Sequence, residues 1–427
     1  MLDIVVGAQF GDEGKGRNVH NLALLDSYVA GIRAQGANNA GHTIMHEGQI
    51  YKLHLVPSAV LAGKKGFLGR GMAINLDVLV GEIEGLQSRG IDPCLMIDPR
   101  AHVIMPWHIH LDGLNERANG SSAAGSTGRG VAPVYASKHE RTGIRLADIF
   151  TDADRVMHMA YLYSERVAFA SLTRDKNSLL EEYLSGIKAT IDRSGFLVSS
   201  LGDVSVAVDG LLREGKDVVG ECAQAEMIDV DSPYYPRGTS SGTGAPGFLN
   251  GLGLFPVGQV RHVIGVAKAY TTRVGNGPFI TEILGDFAET LRQKGGEFGT
   301  TTGRARRVGW FDVPMVRYAA RTSGFTSLAL TKLDILGGMD EIPVAIHYEG
   351  RDEIPVLGYD TKIPIFRTMR GWPEMDEMGY RLQFENGISR IPHPGLRAYL
   401  EMIQEETGVP ISQVCFGQNS SAYISYI

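Results

Sequence analysis

Short apolar runs recur along the chain, and most are followed by a polar, glycine-bearing loop. Leu2 to Val6 is the first and predicts a buried strand. Ile32 to Gln35, Ile50 to Val56, Asp217 to Cys222, His262 to Ala267, Ser327 to Leu330 and Ile411 to Phe416 repeat the pattern. Between these runs the apolar spacing changes to three and four. Val19, Leu22, Leu24, Leu25 and Val29 predict a helix over Asn18 to Ala30. Asn75 is placed to cap a helix running to Ser88, with Leu76, Leu79, Val80, Ile83 and Leu86 on one side. Leu179, Leu180, Tyr183, Leu184, Ile187 and Ile191 predict an amphipathic helix over Ser178 to Asp192, and Leu396 to Glu406 predicts another. This layout predicts an α/β fold whose large, mostly parallel central sheet is flanked by helices, with the functional loops at the carboxyl ends of the strands.

Length alone would allow two or three domains in 427 residues. Large α/β enzymes often run as one, so a single domain over 1–427 is expected, with inserted helical and loop subdomains. Gly120 to Gly130 has no apolar period and reads as a binding loop, because it runs on into Lys138-His139-Glu140-Arg141 without a domain-like break. The net charge of −7 argues against a general nucleic-acid or membrane-surface binder. Cys94, Cys222 and Cys415 are far apart and odd in number, which fits a reducing cytoplasm and no disulfide framework. The N-terminus shows no signal-peptide pattern, and no apolar run is long enough to span a bilayer.

The loop after the first strand, Gly7-Ala8-Gln9-Phe10-Gly11-Asp12-Glu13-Gly14-Lys15-Gly16, is the first candidate site. Its glycines let backbone N–H groups approach a phosphate, and Lys15 adds a positive charge. The common phosphate-loop motif fails at two positions, Gln9 and Gly16, and a plain glycine turn is the alternative. An aspartate in such a loop suits a metal or a proton transfer. Thr331-Lys332-Leu333-Asp334 is a second. A carboxylate there can accept from N1–H and the 2-amino group of guanine, whereas adenine offers an acceptor at N1, so GTP is expected over ATP. Gly299 to Arg307 joins hydroxyls to three arginines and suits a ligand with two carboxylates. His42, among small residues, is placed to act on a transferring phosphoryl group. The runs 125–130 and 239–241 offer donors for a 5′-phosphate, with Arg141 adding charge. Gln224 can pair with a purine edge.

Eight ordered blocks resemble the adenylosuccinate synthetase family: Gly11 to Gly16, Asn39 to Thr43, Ser126 to Gly130, Ala223-Gln224, Thr239 to Ser241, Thr272 to Gly275, Thr301 to Arg304 and Thr331 to Asp334. The resemblance implies a P-loop NTPase-like fold and a ligase joining L-aspartate to IMP, with GTP as co-substrate and Mg²⁺ as cofactor. It implies that Asp12 removes the purine N1 proton, and that Asp12 and the Gly41 carbonyl hold the metal. His42 would assist phosphoryl transfer to O6, with Lys15 and Gln224 also in the catalytic group. Gly11, Glu13, Gly14, Lys15, Gly16, Thr43, Lys332, Asp334 and Gly417 match the GTP site. Asp12, Asn39, Thr127, Arg141, Gln224, Thr239 and Arg304 match the IMP site, Arg141 from a neighbouring subunit, which implies a homodimer. Thr301, Thr302, Arg304 and Arg306 match the aspartate loop.

The chain departs from the family pattern in several places. Arg17, Asn18 and His20 follow the first loop where lysine, isoleucine and aspartate are usual. Asn38 stands for a histidine, Ala37 for a glycine and Ala305 for an arginine. Gly242 and Arg70 stand where asparagine is usual, and Gln418 replaces a proline. Cys222 and Ala225 replace glycines beside Gln224. None removes a residue given a chemical step, but several adjoin the nucleotide, so the acceptor purine is less fixed than the chemistry. A variant making a 2-amino-adenylosuccinate nucleotide from dGMP or GMP is one alternative. A GTP-binding regulator or an inactive partner subunit are others.

Overall fold

The structure is a computed structural model that describes residues 1–120, 127–299, 303–355, 362–417, 419 and 422–426. Nine strands form the central sheet: β1 (Leu2–Gly7), β2 (Tyr28–Arg33), β3 (Lys65–Leu68), β4 (Leu95–Ile97), β5 (Asp217–Glu221), β6 (Val260–Lys268), β7 (Ser327–Thr331), β8 (Ile411–Cys415) and β9 (Tyr423–Ser425). Their spatial order is β9-β8-β7-β6-β1-β5-β2-β3-β4. Every neighbouring pair is parallel except β8 with β9. The expected α/β architecture is the one observed.

Strand β1 lies near the middle and is buried along its whole length. Leu2, Ile4 and Val6 face a core with Val208, Leu212, Phe248 and Leu252. Val5 faces the opposite layer with Val19, Leu22, Val219, Ile264 and Val266. A strand covered on both faces has no polar face, which is why it reads as a continuous apolar run. Its one charge, Asp3, is held by Arg261 at 2.6 and 3.1 Å and by the Tyr28 hydroxyl.

The first helix, Lys15–Ala23, is shorter than its apolar spacing predicts and begins earlier. Leu24 and Leu25 are half exposed, the amide of Tyr28 closes a turn on Leu25, and Val29 belongs to β2. The apolar spacing of a strand edge here mimics one more helical turn. The Asn75 cap forms as expected, its side chain accepting from the Val78 amide at the start of helix Leu76–Gln87.

Helices Pro106–Asn119, Val131–Glu140, Ala153–Ser171 and Lys176–Ser194 lie in the excursion between β4 and β5. Three of them share a core with Leu76–Gln87, built around Trp107, which stacks on Tyr163 with ring centroids 5.2 Å apart. A three-stranded sheet of Phe311–Asp312, Glu341–Tyr348 and Pro364–Arg370 lies between β6 and β8 in the sequence. Among the described residues no helix is long and apolar enough to cross a membrane.

Candidate active site

A cavity of about 910 Å³ opens along the carboxyl ends of β1, β2, β5, β6 and β7. Residues of the first loop, Asn39 to Thr43, Thr127, Gln224, Thr239, Arg306, Lys332 and Gly417 all line it. Its volume suits more than one small ligand.

The first loop is held open from inside. Glu13 is buried and its carboxylate accepts from the amides of Gly11 (2.7 Å) and Gln9 (3.2 Å) and from Lys15 Nζ (2.7 Å). Glu13 therefore shapes the loop, and without ligand it neutralises Lys15. Gln9 ties the same loop to the end of β6: its Nε2 donates to the carbonyls of Lys268 (3.2 Å) and Tyr270 (3.0 Å), and its Oε1 accepts from the Lys268 amide (3.0 Å). This explains why Gln9 breaks the common phosphate-loop motif. Gly16 is required by space, since a Cβ there would lie 2.8 Å from His42 Cβ and from Ser58 Oγ.

Asp12 sits at φ 61, a left-handed conformation that costs a non-glycine residue energy and is found at functional positions. Its carboxylate is about a third exposed and ion-pairs with Arg306 Nε at 2.9 Å. Arg306 in turn donates to Glu297 Oε2 (2.7 Å). Burial alone would push the Glu297 carboxyl up, but Lys268 and Arg306 outweigh it and hold it at about 2.

His42 lies at the start of the hairpin His42–His46/Gln49–Leu53. Its Nδ1 contacts Glu221 Oε1 at the end of β5. Glu221 is fully buried and also accepts from the Ser58 amide and hydroxyl, both at 2.7 Å. Burial lowers the His42 pKa and the Glu221 charge opposes that shift. Burial would raise the Glu221 carboxyl, but His42, Arg33 and Ser58 hold it at about 2. The pair fixes the imidazole with Nδ1–H on Glu221 and leaves Nε2 for a ligand. Glu221 drew no assignment in the sequence, although a glutamate closing a buried strand is a signal in itself.

Gln224, at φ 57, donates to Asn39 Oδ1 (3.2 Å), and Asn39 donates to Thr239 Oγ1 (3.4 Å). Gln224 Oε1 is buried and finds no hydrogen-bond partner among the described residues. Asp334 Oδ1 is in the same condition. Lys332, at φ 62, spans to the Gly295 carbonyl (2.7 Å), and Arg17 donates to the carbonyls of Gly417 (2.8 Å) and Ala422 (2.7 Å). Arg17 thus joins the start of the first helix to the last loop.

Some candidates stand apart. Arg141, Arg304 and Asp334 are not among the cavity-lining residues, and Arg141 and Arg304 are exposed. Thr301 and Thr302 lie outside the described residues. The three-arginine reading of Gly299 to Arg307 needs correction at Arg307. Its guanidinium is spent on Glu282 (2.7 and 2.5 Å) and the Gly277 carbonyl (2.6 Å), because its strand pairs with Thr271–Arg273 and turns it towards them.

A family model described as adenylosuccinate synthetase matches residues 4–424. Adenylosuccinate synthetase of Parafrankia sp. is 39% identical over 432 residues, covering 97% of this chain and 96% of that protein. The Bifidobacterium longum (strain NCC 2705) protein of the same name is 40% identical over 430 residues, with 97% and 96% covered. The solved structure of fully ligated adenylosuccinate synthetase from Plasmodium falciparum superposes with a TM-score of 0.86 at 31% identity, covering 99% of each chain. A cyanophage S-2L succinoaminodeoxyadenylate synthetase bound to dGMP and dATP matches with a TM-score of 0.64 at 18% identity, covering 100% of this chain and 95% of that one, a likeness of fold. With near full-length matches in sequence and in structure, the chain belongs to the adenylosuccinate synthetase family.

Proposed function

We propose that this chain performs the family reaction, GTP-dependent ligation of L-aspartate to IMP, with the following division of labour. One observation carries the reading: a single cavity is lined by the Asp12 loop, by His42 backed by Glu221, and by the Gln224–Asn39–Thr239 chain. The purine 6-oxygen is a poor leaving group until it is phosphorylated. Asp12 takes the N1 proton of IMP, which places negative charge on O6. O6 forms a bond to the γ-phosphorus as the bond to GDP breaks. The aspartate amine then adds at C6, and phosphate leaves with O6.

His42, as the imidazolium that Glu221 stabilises, donates its Nε2–H to the transferring group, and the first-loop amides not already bonded to Glu13 add to that stabilisation, while Glu221 holds the ring in place. Lys15 leaves Glu13 for the phosphates when GTP arrives. Gln224 Nε2, which keeps a second hydrogen beyond its bond to Asn39, donates to the purine 6-oxygen, and Asn39, Thr127 and Thr239 hold the rest of IMP. Lys332, Asp334 and Gly417 hold guanine, with Asp334 Oδ1 accepting from it, and Thr43 lies beside the phosphates. Arg304 and Arg306, with Thr301 and Thr302, take the aspartate carboxylates. Mg²⁺ fits the donor set of the Asp12 carboxylate and the Gly41 carbonyl, two hard oxygens on one cavity. When bound, the ion supplies neutralisation of charge on the phosphates.

We further assign the whole chain to one catalytic domain, with the helices between 106 and 194 as its inserted subdomain, and a homodimer as the active form. Arg141 is exposed and caps its helix outside the cavity, a position from which it can serve a second copy's nucleotide.

Incubating the purified chain with aspartate and GTP, and either IMP or dGMP, tests the reading by the rise in ultraviolet absorbance. A signal with IMP is the expected result. A signal with dGMP alone would transfer the assignment to the 2-amino variant.

A further inference from the structure

Glu297 has no place in the assignment above, yet its carboxylate accepts four hydrogen bonds beside the cavity. Its side chain is entirely buried. Oε1 accepts from Tyr270 OH (2.5 Å) and Lys268 Nζ (2.9 Å), and Oε2 accepts from Lys268 Nζ (2.9 Å) and Arg306 NH1 (2.7 Å). Lys268 is itself fixed by Thr272 Oγ1 (2.7 Å) and, through its backbone, by Gln9 of the first loop. The Arg306 amide also donates to the Glu297 carbonyl (2.9 Å). Both ends of Arg306 are therefore anchored on one residue. The rest of its guanidinium reaches Asp12, with Nε 2.9 Å from Oδ2. A long side chain beside a loop has many rotamers, and fixing it beforehand removes part of the entropy lost on binding.

From this geometry we infer that Glu297 is a positioning residue for the aspartate subsite: supported by Lys268 and Tyr270, it holds the Arg306 guanidinium at the mouth of that subsite and beside Asp12. The inference rests on the reading that Arg306 binds the substrate carboxylate. A carboxylate is needed at 297 because two cations meet there. An amide would turn a donor toward one of them and release Arg306 to solvent rotamers. The expected consequence is selective. The aspartate site loses its preset cation, while the guanine contacts and, Asp12 apart, the purine contacts are on other elements.

Steady-state kinetics of the full chain test this, with fold monitored by circular dichroism. Glu297→Gln should raise the aspartate KM at least tenfold and lower kcat, leaving the KM for IMP and for GTP within threefold. Arg306→Ala should raise the aspartate KM as much or more, and the double variant should be no worse than Arg306→Ala alone, because Glu297 acts through Arg306. Tyr270→Phe, which removes a single bond to Glu297, should give a smaller rise of two- to fivefold and serves where Glu297→Gln does not fold. An unchanged aspartate KM in Tyr270→Phe or Glu297→Gln, an equal rise for all three substrates, or full additivity with Arg306→Ala would overturn the inference. An unchanged aspartate KM in Arg306→Ala would instead overturn the underlying reading of the aspartate site.

Discussion

Replacing Glu221 by glutamine keeps the side-chain shape and removes one buried charge. The native carboxylate accepts at three contacts, the Ser58 amide and hydroxyl, both at 2.7 Å, and His42 Nδ1, and it lies in the electrostatic field of Arg33. A glutamine must present an NH₂ group to either Ser58 or His42. Facing the Ser58 amide it meets a donor, so the NH₂ turns to His42 and forces Nδ1 to accept. The proton then moves to Nε2, the nitrogen that faces the ligand, and an imidazolium loses its counter-charge. The carboxyl is held at about 2 where an unperturbed glutamate lies at 4.5. That preference for the charged form amounts to roughly 3 kcal/mol. If this support is felt in the phosphoryl-transfer transition state, kcat falls by about two orders of magnitude. The assay is the initial rate at saturating IMP, GTP and aspartate, with ¹⁵N spectra of the His42 ring reporting the tautomer. A folded Glu221→Gln protein with kcat within threefold of the unaltered chain would refute the claim that Glu221 supports His42 in the reaction.

Gly16→Ala places a methyl group 2.8 Å from His42 Cβ and Ser58 Oγ, so it should destabilise the fold by about 1–3 kcal/mol and displace the ring; thermal melting and kcat measured together check both effects. Asp334→Asn turns a donor toward the guanine donors. The KM for GTP should rise by about one to two orders of magnitude, while xanthosine triphosphate, with an acceptor at position 2, becomes the better substrate in competition assays. Asp312 is buried, caps helix Val313–Ser323 and accepts from Tyr348 OH, and burial pushes its carboxyl up to about 7. Its folded-state pKa is above the unfolded one, so the native state binds the proton more tightly and stability falls as pH rises from about 4 to about 7. Asp312→Asn keeps the cap and should remove most of that slope, worth about 3 kcal/mol between pH 5 and pH 8, as urea titrations at those two values would show.

The sheet was legible because strands buried on both faces carry unbroken apolar runs, as in Leu2–Gly7 and Ser327–Thr331. The end of the first helix was not, because Val29 on β2 falls at helical spacing from residues that precede the turn. The site loops were legible for a different reason. Phosphates and bases need glycine and small polar residues at strand ends, and those leave a local mark in the sequence. The groups behind the loops leave a weaker one. Glu221 and Lys268 close apolar strands and Glu297 sits among glycines, and their meaning depends on partners the local pattern does not name: His42 for Glu221, Arg306 for Glu297. The role of Glu13 was hidden in the same way. It looks like a loop carboxylate facing a ligand, and it faces the backbone of its own loop. Arg307 looked equivalent to Arg306, and only the pairing of its strand separates them.

The central claim is that O6 of IMP is phosphorylated before aspartate displaces it. IMP labelled with ¹⁸O at position 6, incubated with the chain, GTP, Mg²⁺ and aspartate, tests it most directly by mass spectrometry of the released phosphate. The account predicts one ¹⁸O atom in each phosphate formed, in step with loss of the label from the nucleotide. Unlabelled phosphate, with the ¹⁸O released into water as the product forms, would contradict it.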